Sequence, residues 1–309
     1  MIKVQDEKAL SKLAVEHFFH LLAHIQTPKK KDLETDIDSF FQRTKCCKKK
    51  RFIDLIAGDP KFLKHLMKNH NRSLKKNRFS QRLKDLYNNN FSLRNRTLGG
   101  KGPTYNSIAL LDKLELRVCP FCNRNYIYNI RKKSGEAFKL SQTDHFYPQD
   151  KFPYLAMSFF NLIPSCLQCN FLKNNKKIKV HPYDSVDSHH LKFTVDISLE
   201  DTELSLTRCL PNDLKIKASS IFKKNNETLY LDELYRGHID YVNELLLNIE
   251  FYNEGNFVEI QTVLGGLNFT HSEMNRILFG NYTAEEDFNK RPLSKLTYDI
   301  LKQFNIETG

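Results

Sequence analysis

The chain has 309 residues, with 48 lysines and arginines against 36 aspartates and glutamates, and a formal charge of +12. That length can bury a sizeable core, in one large domain or in two to three small ones, and the basic balance points to a polyanionic partner, of which nucleic acid is the usual one. No apolar run is long enough to span a bilayer, the opening Met-Ile-Lys-Val-Gln-Asp6 lacks a signal-peptide pattern, and the seven cysteines include four in metal-knuckle spacing. These features argue against a membrane span and a disulfide scaffold, and for a chain in the reducing cytoplasm.

In chain order, residues 7–25 are predicted as a helix, because Leu10, Leu13, Ala14, Phe18, Leu21, Leu22 and Ile25 recur at helical spacing. His17, His20 and His24 share a side of it and read as a polar flank, since no carboxylate or cysteine accompanies them as a ligand. Basic runs follow at Lys29 to Lys31 and Lys48 to Arg51, then at Lys75, Lys76, Arg78, Arg94 and Arg96. Their recurrence suggests a phosphate-contacting surface. Cys46 and Cys47 are adjacent and cannot easily chelate one ion. They are read as structural or incidental, as is Cys209. Helices are predicted over 36–44, 51–69, 78–89 and 106–114, with the breaker cluster Thr97-Leu-Gly-Gly-Lys-Gly-Pro103 between the last two.

Beyond Cys122, residues 126–130 and 138–143 read as a hairpin turning at Lys133-Ser-Gly-Glu136. Asp144 and His145 fall at or just past its end. A short helix is expected over 155–160, an extended piece over 161–164 and a helix opening from Asn170 to Lys177. Residues 191–199 alternate and form a half-buried strand, with partners over 204–207 and 214–217. The longest helix is predicted over 226–250, with His238 as a satisfied core histidine on its stripe. Thr270 and Glu273 make a capping box for a helix ending near Gly280, and a last helix runs from Pro292 to Phe304.

The organising stretch is Cys119 to Lys179. Cys119-Pro-Phe-Cys122 and Cys166-Leu-Gln-Cys169 are two Cys-x-x-Cys knuckles, 44 residues apart between Cys122 and Cys166. Together they supply four thiolates for a tetrahedral zinc with no open position, hence a structural ion. Between and beside them lie Asp144, His145, Asn161 and Asn170. Asp144 and Asn170 offer hard oxygen donors that suit magnesium or manganese. His145 has the range for a general base at neutral pH. On a regular strand, neighbours point to opposite faces, so Asp144 and His145 serve one site only if the chain leaves strand geometry there.

The order Cys-x-x-Cys, Asp-His-x-x-Pro, Asn-Leu, Cys-x-x-Cys-Asn-x-x-Lys resembles the HNH endonucleases of the ββα-metal superfamily, and their zinc-knuckle branch most. The resemblance covers about residues 116–179. It implies that His145 is the general base and that Asn161 braces the loop and orients it. It makes Asp144 and Asn170 the ligands of the catalytic cation, and puts Lys173, Lys176 and Lys177 near nucleic acid. Asn170 stands where histidine is commoner, which shifts the preferred cation further towards magnesium or manganese. The strings Cys-Pro-Phe-Cys-Asn-Arg-Asn-Tyr-Ile, Asp-His-Phe-Tyr-Pro and Arg291-Pro-Leu-Ser-Lys-Leu-Thr are similar to a bacterial anti-phage subgroup, the PtuB-type nucleases of Septu and some retrons. That implies a partner ATPase of the PtuA type.

The expected architecture is α+β, a mainly helical chain around a small ββα-metal core with a four-cysteine zinc site. A basic helical region would occupy 1–104, the nuclease core 105–184, and a strand-then-helix region 185–309. The expected activity is metal-dependent hydrolysis of nucleic-acid phosphodiesters, with DNA favoured over RNA and an oligomer compatible with double-strand breaks. A second reading is a zinc-stapled nucleic-acid-binding subunit of a defence complex without its own catalysis. It explains the cysteines and the charge, but not the joint presence of Asp144, His145, Asn161 and Asn170.

Overall fold

The computed structural model describes residues 6–25, 27–92, 97–98, 105–184, 191–196, 213–251, 262 and 269–308. Helices dominate and the strands form small antiparallel sheets, so the chain is α+β as expected. α1 (Glu7–His24) opens on Asp6, whose carboxylate accepts from Ala9 N at 2.9 Å. It buries Leu10, Ala14, Phe18 and Leu21. His17 corrects the polar-flank expectation: it is fully buried, 2.8 Å from Tyr105 Oη through Nδ1 and 2.9 Å from Met157 O through Nε2. Burial holds its pKa down at about 4, so it stays neutral.

α2 (Thr27–Arg43), α3 (Phe52–Ala57), α4 (Pro60–Asn69), α5 (Asn71–Lys76) and α6 (Arg78–Leu86) follow, and α6 runs into a π-helical turn over Tyr87–Phe91. The single helix expected over 51–69 is two, α3 and α4. Pro60 carries no N–H to continue the ladder, and Asp59 caps the new helix by accepting from Phe62 N at 2.7 Å. Gly58 is needed at the break, where a Cβ would collide with the Asp54 carbonyl oxygen.

α7 (Ser107–Leu114) leads into the first knuckle. β1 (Thr97–Leu98), β2 (Ile130–Arg131) and β3 (Ala137–Phe138) make a sheet in the order β1-β3-β2. The expected 126–143 hairpin is thus reduced to two-residue strands. Its end is closed by Asn129, whose Oδ1 accepts from Leu140 N and from the N and Oγ of Ser141. The residues beyond peel away as β4 (Gln142–His145), which pairs with β5 (Leu162–Ser165) in the register Asp144↔Ile163 and His145↔Leu162. β5 is buried along its length and offers the apolar partner the hairpin lacks. Two 3-10 turns, Pro153–Leu155 and Phe159–Asn161, replace the helix expected over 155–160. α8 (Leu167–Lys173) starts in the second knuckle, three residues before the expected opening at Asn170.

β6 (Leu191–Val195) pairs with β7 (Leu214–Ala218). The strand expected over 204–207 lies outside the described residues, as does Cys209. The long helix expected over 226–250 is three: α9 (Lys223–Leu229), α10 (Leu231–Arg236) and α11 (Ile239–Phe251), interrupted at Tyr230, which is left-handed with φ 53°, and at Gly237. α12 (His271–Phe279) opens on the capping box of Thr270 and Glu273 and ends at Gly280, and α13 (Ser294–Gln303) closes the chain.

One buried apolar cluster runs from Leu10 to Ile306. The C-terminal segment also clasps the first knuckle. Tyr235 Oη donates to Cys122 O at 2.5 Å, Leu293 N to Asn123 O at 2.7 Å, and Asn123 Nδ2 to Phe288 O at 2.8 Å. The Lys295–Asp299 pair of the same segment is buried, and Asp299 also accepts from Phe193 N at 3.0 Å, tying α13 to β6. The segment that carries the Arg-Pro-Leu-Ser-Lys-Leu string is therefore part of the scaffold that fixes the cysteines.

Candidate functional site

The four sulfurs of Cys119, Cys122, Cys166 and Cys169 lie within 4.8 Å of one another, all buried and none in a disulfide. Cys122 Sγ and Cys166 Sγ are 3.9 Å apart. Zinc–sulfur bonds of about 2.3 Å in a tetrahedron place the sulfurs about 3.8 Å apart, so the spacing fits the ion. N–H groups of Arg124 and Cys169 point at Cys122 Sγ and Cys166 Sγ, each at 3.4 Å, and the amide of Asn125 reaches Cys166 Sγ at the same distance. Such donors stabilise negative sulfur. Burial, then the adjoining sulfurs, push the Cys119 thiol well above its ordinary range, because bare thiolates so close repel. A cation is what lets them ionise together, so this donor set could hold a metal such as zinc.

A second feature lies beside the cluster, where β4, β5 and α8 follow one another as strand, strand and helix. Asp144, His145 and Asn170 line one cleft of about 190 Å³ with Tyr87, Lys139 and Asp150. Asp144 and His145 are the last residues of β4, not residues past its end, yet both border this cleft. His145 is buried, and its Nε2 lies 3.0 Å from Ala156 O. A carbonyl only accepts, so Nε2 carries the hydrogen and Nδ1 is the basic nitrogen of the neutral ring. Tyr87 holds the ring from the other side, with centroids 4.3 Å apart and planes at 66°, and is itself fixed by donating to Thr143 O at 3.1 Å.

Asn161 is fully buried and holds the loop between the strands. Its Oδ1 accepts from Tyr147 N at 2.7 Å, and its Nδ2 donates to Tyr147 O at 3.1 Å and to Leu155 O at 2.9 Å. Leu155 immediately precedes Ala156, so Asn161 fixes the carbonyl that fixes His145. The Asn161 carbonyl also accepts from Phe146 N at 2.9 Å, next to His145.

Lys173 departs from the expectation that it meets phosphate. It is fully buried, with its ammonium 2.8 Å from Asp144 Oδ2 and 2.7 Å from His145 O. The last turn of α8 points it back under β4, which ties the helix to the strand. The contact with Asp144 Oδ2 is a buried ion pair. Burial raises the Asp144 pKa to about 6, against the pull of Lys173. Lys176 and Lys177 are exposed, as are Lys75, Lys76 and Arg78, whereas Arg94 and Arg96 lie outside the described residues.

Among the lining groups that sequence reasoning missed are Tyr87, Lys139 and Asp150. Asp150 pairs with Lys84 at 2.7 Å, which holds its carboxyl below the usual range. Its nearness to Asp144 in sequence was the available signal. Tyr87 has none short of the π-helical turn, a distortion that often marks functional positions. His238, expected as a core histidine, is half-buried and accepts from Arg124 Nε at 2.9 Å.

The fold and site thus define an α+β chain in which a four-cysteine cluster adjoins a cleft lined by a carboxylate, an imidazole and a carboxamide. No protein-family model matches it, and no solved structure does. Over 95 residues it is 30% identical to the Septu protein PtuB of Bacillus thuringiensis, a stretch that makes up 29% of this chain and 34% of that protein. The chain therefore matches about a third of the length of this curated relative. No helix among the described residues is long and apolar enough to cross a membrane.

Proposed function

We propose that the chain is a metal-dependent endonuclease of the HNH kind, the effector of an anti-phage defence system. The observation that carries the proposal is the anchored imidazole of His145 in one cleft with Asp144 and Asn170. His145 Nδ1 is the base that takes the proton of an attacking water, because Nε2 is committed to Ala156 O. Asn161 keeps that commitment in place through the loop. Asp144 and Asn170 line the same cleft and offer oxygen donors to a divalent cation, magnesium or manganese. When bound, this cation supplies charge stabilisation to the phosphoryl oxygens and the leaving group. Exposed Lys176 and Lys177 extend from α8 and can follow the backbone of a nucleic acid, DNA in preference to RNA. The four-cysteine cluster holds structural zinc in this reading.

Similarity to the Septu protein PtuB supports the defence role, and the family resemblance adds a partner ATPase of the PtuA type. One observation favours the binding-only alternative: Lys173 already neutralises Asp144, so a cation must bind a carboxylate that has a counter-charge. The two readings separate in one assay. End-labelled DNA and RNA are incubated with the purified protein and magnesium or manganese, alone and with the partner ATPase. Metal-dependent shortening of either strand supports the nuclease. Retained binding without cleavage under every condition refutes it and leaves the binding subunit.

A further inference from the structure

A second set of metal-ligating side chains lies outside the cleft and the four-cysteine cluster, in the N-terminal helices. The ligand atoms of Cys47, His65 and His70 lie within 4.8 Å of one another. We propose that Cys47, His65 and His70 form a second transition-metal site, with zinc as its ion. The proposal does not rest on the nuclease reading.

Each ligand is placed by local structure. Cys47 closes a 3-10 turn over Lys45–Cys47, with its N–H donating to Thr44 O and its carbonyl accepting from Lys50 N, both at 2.8 Å. It is buried, at 2% exposure, while the two histidines are half-buried. His65 sits in the second half of α4, whose start is fixed by the Asp59 cap and Pro60. His70 is five positions further on. In a continuing helix, residues five apart point about 140° from each other and could not share an ion. His70 is instead the C-cap, with φ −128° and ψ 3°. This departure folds its ring back until the two imidazole centroids are 5.4 Å apart.

The chemistry of the set is selective. One thiolate and two imidazoles suit zinc and other borderline or soft ions, and disfavour magnesium and calcium. Carbonyls at the C-terminal end of α4 add a negative field. Asn69 Nδ2 lies 3.1 Å from His65 Nδ1. Its amide can equally present oxygen there, to orient the ring as an outer partner of a ligand does. Three protein ligands leave a fourth position to water.

The site would also brace the cleft. Asn71 follows His70, and its Oδ1 accepts from Tyr154 Oη at 3.2 Å. Tyr154 belongs to the loop whose Leu155 and Ala156 carbonyls engage Asn161 and His145. An ion at Cys47, His65 and His70 would stiffen the corner on which that loop rests.

The test is metal content of the untagged, full-length chain, measured by plasma mass spectrometry after gel filtration. The expected result is about two zinc ions per chain, falling to about one in His65→Gln and in Cys47→Ser. His65→Gln changes a half-buried ring and carries the test should Cys47→Ser not fold. Cobalt substitution gives an independent readout: the difference spectrum between wild type and His65→Gln should show a tetrahedral site with one thiolate, weaker in charge transfer than the four-thiolate cluster. One zinc per chain in the wild type would overturn the proposal, and so would two that remain two in His65→Gln.

Discussion

Lys173→Met should destabilise the chain in a manner that depends on pH, because the lysine neutralises a buried carboxylate. Lys173 is fully buried and Asp144 only 5% exposed, with 2.8 Å between their charges. With the lysine present, Asp144 titrates at about 6. Without it the same buried carboxyl should move to roughly 8–9, the range documented for buried acids that lack a partner. Its folded-state pKa is then further above its unfolded value. Stability is unaffected while the group is neutral in both proteins and is lost in the variant as pH rises through the interval between the two folded values. That interval corresponds to about 3–4 kcal/mol. The measurement is urea unfolding of wild type and variant at several pH values between about 6 and 9, zinc present and magnesium absent. Both proteins keep the four cysteines, so their contribution cancels. Relief of lysine desolvation shifts the variant equally at every pH, so the slope is diagnostic. Adding Asp144→Asn to Lys173→Met should remove that slope and restore most of the stability lost at high pH. A penalty equal at every pH, or a double variant as unstable as the single one at pH 9, would refute the reasoning.

Other predictions follow from the same geometry. Asp144→Asn should abolish cleavage and, because it leaves the buried Lys173 ammonium without its counter-charge, lower stability by about 3–5 kcal/mol; calorimetry at pH 7.5 checks this. The wild-type cleavage rate should fall as pH drops, because protons compete with the cation for the buried Asp144 carboxylate, and a higher magnesium concentration should move that fall to lower pH. Asn161→Ala strands the N–H and carbonyl of Tyr147 and removes one of two donors to Leu155 O, so it should lower stability by about 2–4 kcal/mol and activity with it, which unfolding and cleavage measured side by side would show. Cys169→Ser should reduce bound zinc and lower the melting temperature whether or not magnesium is present, as a structural rather than catalytic ion requires.

How much of this was legible beforehand depends on the range of the interaction. The four cysteines were readable as one cluster because the chemistry of zinc demands four donors however far apart they lie in sequence. Asp144, His145 and Asn170 were readable as neighbours from residue type and order, and the structure brings them to one cleft. The burial of Lys173 was not readable. A lysine after a knuckle looks like a phosphate contact, and only the seven-residue length of α8 reveals that it ends beneath β4. Strand pairing was misassigned because Asn129 caps the first hairpin with a side chain, a tertiary use of asparagine that alternation does not report. The break of 226–250 at Tyr230 escaped for a similar reason: a left-handed tyrosine carries no local signal. His65 and His70 passed unnoticed because five-residue spacing faces apart on a helix, and the C-cap that cancels this is conformational.

The most direct test of the central claim is supercoiled plasmid incubated with magnesium or manganese and either wild-type protein or His145→Ala, with the partner ATPase supplied in parallel and DNA binding followed in the same samples. The account predicts nicked or linear product from the wild type and none from His145→Ala, with binding retained by both. Equal cleavage by the two proteins would place the chemistry elsewhere and contradict the assignment of His145 as the base.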